Sequence, residues 1–472
     1  MNKIKFGTGG FRGIIGDDFN KENLQNICQA IANIIEKTGK KREICIGYDN
    51  RFLSEESAIW CSEVFAGNNI NVKLFDRATT TPVVMYATMV NNNDYGVMIT
   101  ASHNPHIYNG IKVFTYEGKD ANEVETNLIE KEMQQVSQVK TLLYSQAHGT
   151  KITLVNYIDE YLNNIVSLLE LENVGKNLNI IYDAMYGSST EEIKLLSQKI
   201  DSKNYKIINS SRDAFFGFKV PAPSQNNIQE LTKTVLKNKA SIGFALDADG
   251  DRLAVVDENG NYIDNNYILA ISYYFFAKYC NQKGNSVKNL ATSNLLDKVT
   301  QKFGYKCIEV PVGFKHVSNG IITNQAIIGG ESSGGLAIKG HIWGKDSLLA
   351  IAICIKAISV INKPFGEILK EVKDFVGGYE KVIFDKQYSY TSEQRNFIDK
   401  TLFIDKILPT HRYELEKIAK TANYVKVYYK NGNWSLIRFS GTEPILRIFV
   451  ESDSQEENET MIKDWEEVLK LL

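Results

Sequence analysis

The chain has 472 residues, 43% apolar and 23% charged, the balance of a soluble globular protein built from several domains rather than one core. Its formal charge of −2 excludes a global basic field that would recruit nucleic acid or an anionic membrane, and leaves room only for local basic sites. Six cysteines, at positions 28, 45, 61, 280, 307 and 354, form no C-x-x-C pair and read as reduced core residues. The N-terminus "MNKIKFGTGGFRG" carries no apolar signal segment. The longest apolar stretches, such as "YILAISYYFFAKY", are too short to span a bilayer. A cytoplasmic location is expected.

The first feature along the chain is glycine-rich "FGTGGFRG" (6–13). A dinucleotide fingerprint would need a preceding strand and G-x-G-x-x-G spacing that opens a helix, and this stretch makes neither case. Arg12 in this loop suggests phosphate contact instead. "EICIGYD" (43–49) then reads as a strand. Ser54 caps a helical pattern, "EESAIWCSEVFAG", that ends at Gly67. "INVKLF" follows as a strand and "TPVVMYATMV" as a helix. Short apolar runs alternating with helical periods predict α/β layering with a largely parallel sheet. In such sheets ligands gather where loops leave the carboxyl ends of the strands.

An apolar strand from Gly96 stops abruptly at "TASHNP" (100–105), and Lys112 follows ten residues after Ser102. A Ser-His-Asp hydrolase often carries G-x-S-x-G, which is absent. Adjacent Ser102 and His103 leave the backbone in different directions, so His103 is no triad base for this serine. The plain alternative is a turn in which Ser102 and Asn104 bond the backbone. From these residues alone both readings stand.

A second unit opens at "LNIIYDAMYG" (178–187) and closes at "SIGFALDADGDR" (241–252). Asp247, Asp249 and Asp251 alternate with small residues in a tight loop, and such carboxylates can converge on one hard divalent cation. Glu258 falls where an EF-hand would place its twelfth-position ligand. The EF-hand nevertheless fails, because Arg252 stands where it needs glycine and the flanks read as strands. A solvated acidic turn would set three like charges side by side with nothing to relieve their repulsion.

A third unit runs from about 258 through an apolar helix near 267–279 to "AIIGGESSGG" (326–335), and the helix "KDSLLAIAICIKAISVI" completes it. Glycines around Glu331 and Ser333 allow close approach to a ligand, where a carboxylate can accept from two vicinal sugar hydroxyls. A flexible linker is the alternative. After about 370 the pattern changes to alternating strands, "YVKVYYKNGNWSLIRFS", with Asn431-Gly432 as a hairpin turn. A last helix sets Trp465, Val468, Leu469 and Leu472 on one face. "RFSGTEP" (438–444) ends a strand with Arg438, Ser440, Gly441 and Thr442, an anion nest beside a planar donor fork, or else a tight turn. The expected divisions are 1–148, 149–257, 258–370 and 371–472.

Taken together, "FGTGGFRG", "TASHNP", "DADGDR", "VGFKH", "GGESSGG" and "RFSGTEP" stand in the family order of the α-D-phosphohexomutases, and nearly the whole chain resembles that family. The resemblance implies three consecutive α/β domains with mixed sheets plus a C-terminal α+β domain, arranged around a central cleft. It implies a phosphoserine at Ser102, and Mg²⁺ held by that phosphoserine with Asp247, Asp249 and Asp251. Arg12 and Arg252 would assist the phosphoryl group. Lys112 and His103 are candidates for proton transfer and charge stabilisation. Lys315, Glu331, Ser333, His341 and Lys345 would contact the substrate, and Arg438, Ser440, Gly441 and Thr442 the non-reacting phosphate. Glucose 1,6-bisphosphate would serve as activator and intermediate. The expected partner is a small-molecule sugar phosphate, with no nucleic acid and no membrane, and the expected state a monomer or weak dimer.

Several positions depart from the family pattern. Gly9 stands where glucosamine mutases typically carry aspartate. "GESSGG" looks like the glucose-type loop. Phe439 replaces a common proline, and Ser347 a glycine often found after the Lys-Asp pair. Interconversion of glucose 1-phosphate and glucose 6-phosphate is the expected reaction. Mannose and pentose phosphates are the alternatives, and a metal-dependent sugar phosphatase is the rival from another class.

Overall fold

A computed structural model describes residues 4–7, 10–409, 413–440 and 444–471. Gly9, Gly441, Thr442 and Leu472 lie outside the described residues. Four sheets succeed one another along the chain.

In the first sheet the strands lie in the order Gly10–Ile14, Tyr108–Thr115, Tyr95–Ile99, Glu43–Tyr48, Asn71–Phe75 and Ile152–Val155. The last four pair in parallel and the first three antiparallel. Five of the six residues of Glu43–Tyr48 are buried, which is why "EICIGY" is a continuous apolar run rather than an alternating one. Helices Lys21–Thr38 and Ser54–Gly67 cover one face. Helix Thr81–Val90, apolar all round and with Pro82 in its first turn, lies on the other. There its buried residues join a core that runs on through the second and third units. Ser54 opens its helix but does not cap it. The residue before it, Leu53, is left-handed, and the Ser54 hydroxyl donates instead to Asp49 Oδ1 at 2.8 Å.

The second sheet has the order Tyr262–Ile263, Leu253–Asp257, Ile242–Leu246, Asn179–Asp183, Asn204–Ile208. The strands flanking the acidic loop pair antiparallel, Leu246 opposite Leu253, so that loop is a hairpin tip. The third sheet sets Ile328–Gly330 antiparallel to Leu336–Ile338, which makes "GESSGG" a hairpin turn and not a linker. The fourth sheet is antiparallel throughout, with Trp465 and Leu469 of helix Gln455–Leu469 buried against it. Gly432, at φ 83°, supplies the turn between two of its strands.

Three divisions read from the sequence move. Strand Ile152–Val155 joins the first sheet beyond residue 148, strand Tyr262–Ile263 joins the second beyond 257, and 370 falls inside helix Phe365–Phe375. The six cysteines are free. Among the described residues no single helix is long and apolar enough to cross a membrane.

Candidate active site

Ser102 lies just past the carboxyl end of strand Tyr95–Ile99, buried and at φ 52°. The left-handed region disfavours a serine, and such strain gathers at functional sites. Its Oγ donates to Asp247 Oδ2 at 3.0 Å, and His103 Nδ1 lies 3.4 Å away. Burial, then the charges of Arg252 and Arg12, push the His103 imidazole well below its ordinary pKa, so the ring is neutral near pH 7. Arg12, on the strand paired with Tyr108–Thr115, donates from Nη1 to Asn104 Oδ1 at 2.7 Å.

The acidic hairpin tip is buried, with Gly250 at φ 68° allowing the tight turn. Asp247 Oδ1 accepts from the backbone N–H groups of Asp251 and Arg252, 3.0 Å each. Helix Thr81–Val90 points its N-terminus here: Thr81 Oγ1 donates to Asp249 Oδ2 at 2.6 Å and Thr81 N to the Asp249 carbonyl at 2.8 Å. Lys112 Nζ donates to Asp249 Oδ2 (2.5 Å) and Asp251 Oδ2 (2.7 Å). Burial opposes the Lys112 charge, but Asp249 and Asp251 outweigh it and raise its pKa.

The three carboxylates occupy different environments. Burial, then the charges of Asp249 and Asp251, raise Asp247 well above the ordinary carboxylate range. Burial would also raise Asp251, but Lys112, Lys345 and Arg252 outweigh it and hold its pKa low. One oxygen from each carboxylate lies within 4.8 Å of the others. Asp249 Oδ1 and Asp251 Oδ1 are buried without a hydrogen-bond partner. Orphaned buried oxygens in an all-oxygen donor set fit a hard divalent cation.

Glu331 and Ser333 sit in the hairpin turn of the third sheet. Glu331 Oε1 accepts from Ser333 Oγ at 2.5 Å and Oε2 from Asn289 Nδ2 at 3.2 Å. Lys345 joins this turn to the acidic tip, its Nζ 3.9 Å from Glu331 Oε1 and 3.6 Å from Asp251 Oδ2. A Cβ at Gly335 would stand 2.2 Å from the Lys345 side chain, so the glycine makes room for it. Lys315, at the start of helix Phe314–Asn324, pairs with Glu123 of the first unit at 2.7 Å.

His341 is not at the site's surface. Its side chain is fully buried, Nε2 lies 2.7 Å from Asp346 Oδ2, and Nδ1 lies 2.8 Å from Asn164 Oδ1. Asp346 also accepts from Tyr161 and caps helix Ser347–Ile361. The expectation that His341 contacts substrate is therefore corrected: both ring nitrogens are committed inside the wall between units. Ser347 donates to the Gly250 carbonyl at 2.5 Å, a contact to the acidic tip that a glycine could not make.

In the fourth unit Arg438 lies near the end of strand Trp434–Phe439, directly opposite Arg447 of the next strand; burial, then the charge of Arg447, lowers its pKa, and Glu331 opposes them. Ser440 follows, its N–H donating to Ile445 O at 2.8 Å. Phe439 is buried under the Arg395 guanidinium, 3.5 Å from its ring centre.

Four family models match the chain in order: phosphoglucomutase/phosphomannomutase alpha/beta/alpha domain I over 3–140, domain II over 130–260, domain III over 264–375, and the C-terminal domain over 410–468. A probable phosphoglucosamine mutase of Methanosphaera stadtmanae is 30% identical over 96% of this chain and 95% of its own. The chain belongs to the phosphoglucomutase/phosphomannomutase family. A phosphoglucomutase/phosphomannomutase of Thermococcus kodakarensis is 28% identical over 100% of both chains. A structure from Thermus thermophilus, solved as a candidate phosphomannomutase, matches 99% of each chain with a TM-score of 0.85 at 24% identity, a likeness of fold. The protein is accordingly a phosphohexomutase-family isomerase, an enzyme that transfers phosphate intramolecularly.

In this mutase the sequence motifs carry Ser102, the acidic triad, Glu331 and Arg438, and the fold joins the first three: Ser102 bonds Asp247, and Lys345 lies between Asp251 and Glu331. Thr81, Arg51 and Arg447 carry no motif of their own. Only Arg447 leaves a trace, as a charge on an otherwise buried strand: its neighbours Leu446 and Ile448 are fully buried while it is exposed.

Proposed function

We propose that the enzyme interconverts hexose 1-phosphate and hexose 6-phosphate, with glucose as the favoured sugar, through a phosphoserine at Ser102 and a bisphosphorylated sugar. The observation that carries the reading is the Ser102 hydroxyl 3.0 Å from Asp247, within a carboxylate cluster that has two unpaired buried oxygens. Asp247, Asp249 and Asp251, with a phosphoryl oxygen on Ser102, would hold Mg²⁺, which supplies charge neutralisation at the transferring group.

In the first half-reaction a sugar hydroxyl oxygen bonds to phosphorus as the P–Oγ bond of phospho-Ser102 breaks. The hydroxyl proton goes to a neighbouring base. His103, neutral and beside Ser102, is the proposed acceptor, and Lys112 stays charged against the carboxylates. Arg12 and Arg252 stabilise the moving phosphoryl group, and Lys345 spans from there to the sugar turn. The bisphosphate then turns end for end, and its other phosphoryl group returns to Ser102. Such transfers depend on positioning and electrostatics. Arg438 with Ser440, Gly441 and Thr442 holds the distal phosphate, Lys315 adds a cation at the rim, and Glu331 and Ser333 read vicinal hydroxyls. Glucose 1,6-bisphosphate is the proposed activator, and a monomer or weak dimer in the cytoplasm the proposed setting.

Glucose rests on the "GESSGG" turn. The 30% identical relative carries the name probable phosphoglucosamine mutase, so glucosamine phosphate is the second reading. The deciding experiment compares glucose, mannose and glucosamine 1-phosphates, each with a catalytic amount of its bisphosphate, and measures isomer and free phosphate together. Fastest isomerisation of glucose phosphate supports the proposal. Preference for glucosamine phosphate moves the substrate, and release of phosphate in place of isomer makes the enzyme a phosphatase.

A further inference from the structure

Arg51 carries a charge with no solvent exposure, and so does Asp49 beside it. A buried cation is costly unless its donors are paired. Here the guanidinium meets one loop. Nη1 donates to the carbonyls of Pro105 and Tyr108 at 3.0 Å each. Nη2 donates to those of Ser102 at 2.5 Å and Asn104 at 2.7 Å. A planar fork can serve several acceptors at fixed angles, and a lysine ammonium cannot copy it.

Asp49 works on the other side of the same serine. Its Oδ2 lies 3.3 Å from Arg51 Nε and accepts from Thr100 Oγ1 at 2.6 Å. Thr100 Oγ1 in turn accepts from the Ser102 N–H at 2.8 Å. Ser102 is thus gripped by its amide through Thr100 and by its carbonyl through Arg51. These are the two bonds that over-determine a left-handed serine. The second unit closes the clamp: Phe216 is buried with its ring centre 5.0 Å from the Arg51 guanidinium carbon.

We infer that Arg51 is a positioning residue for phosphoryl transfer: paired with Asp49 and covered by Phe216, it holds Ser102 in the left-handed conformation that aims its hydroxyl at Asp247. This rests on the reading of Ser102 as nucleophile. A staple that merely stabilised the fold would lower the melting temperature and leave turnover per folded molecule unchanged. A positioning residue lowers kcat in protein that is fully folded.

Arg51→Lys keeps the charge and loses the fork. Its kcat should fall about 10²-fold, the loss that about 1 Å of misplacement brings, with KM for glucose 1-phosphate within about threefold of wild type. Amide hydrogen exchange of the same protein should quicken in the 102–108 segment and stay at the wild-type rate across 424–439 in the fourth unit. Thr100→Val removes only the hydroxyl between Asp49 and the Ser102 amide. It should show the same split at about tenfold, and it carries the test if the lysine variant does not fold. Wild-type kcat in the folded variants overturns the inference, and so does exchange that quickens equally in every segment. A wild-type enzyme that takes no phosphoryl group from glucose 1,6-bisphosphate would instead defeat the nucleophile reading, while the exchange measurement still shows whether Arg51 holds the loop.

Discussion

The Ser102 hydroxyl donates to Asp247 Oδ2 at 3.0 Å across 145 residues of chain. Two hairpin-like loops from different sheets meet at that bond, and neither loop would need the other for its own turn. Ser102→Ala should therefore abolish isomer interconversion while the protein stays folded, with the melting temperature moved by no more than about 2–4 °C for one lost hydrogen bond in a chain this large. Intact mass after incubation with glucose 1,6-bisphosphate should show one added phosphoryl group in the wild type and none in the variant. An alanine variant that interconverts isomers at a comparable rate would return "TASHNP" to the role of a turn.

Lys112 occupies two of the three carboxylates, 2.5 Å from Asp249 and 2.7 Å from Asp251. A divalent cation competes with that ammonium for the same two carboxylates, whose Oδ2 atoms the lysine holds. Lys112→Met should raise Mg²⁺ affinity in calorimetric titration by about tenfold, as an opposing charge leaves the site. Turnover should fall by about 10²–10³-fold, because the positive charge that steadies the transferring phosphoryl group is lost. Weaker Mg²⁺ binding in the variant would show that the lysine organises the carboxylates rather than competing for them.

The residues that were legible in the sequence are those whose chemistry is local. Asp247, Asp249 and Asp251 repel unless something binds them, and their strand flanks already exclude an EF-hand. Arg51 was not legible, because its partners are carbonyl oxygens, and every residue has one. Arg447 acquires meaning only through strand register, which places it opposite Arg438. His341 misled for the opposite reason. The family resemblance implies a substrate contact for it, yet its partners are Asn164 on helix Ile158–Leu169 and Asp346 at the N-cap of helix Ser347–Ile361. Strand Ile152–Val155 escaped the first division because its pairing with Asn71–Phe75 is parallel and distant in sequence.

Arg438 and Arg447 face each other across two strands. Like charges directly opposite are destabilising, and burial followed by the Arg447 charge lowers the pKa of Arg438. A bound phosphate relieves both. Arg438→Ala and Arg447→Ala should each raise KM for glucose 1-phosphate about 10–100-fold, the worth of a charge-assisted bond of about 1.5–3 kcal/mol, with kcat changed far less. Inorganic phosphate should raise the melting temperature of the wild type more than that of either variant. Unchanged KM with a large loss of kcat in both would place these arginines at the reacting phosphoryl group instead.

Glu192 is fully buried where the first and second units meet. Its Oε1 accepts from Thr79 Oγ1 at 2.9 Å and Thr80 N at 3.0 Å. Burial pushes its carboxyl from 4.5 up to about 7, against the pull of those hydrogen bonds. Below 4.5 the group is protonated in both folded and unfolded chains and contributes no pH dependence. As pH rises from 4.5 to 7 the unfolded chain releases its proton first, so stability falls, and above 7 the loss is complete. The full difference is about 3 kcal/mol. Glu192→Gln keeps the acceptor oxygen and cannot ionise. Urea midpoints measured at pH 5, 6, 7 and 8 should show the variant gaining on the wild type through pH 7, with little further gain beyond. A gap between the two proteins that is the same at every pH would mean that Glu192 ionises in the fold as it does in water.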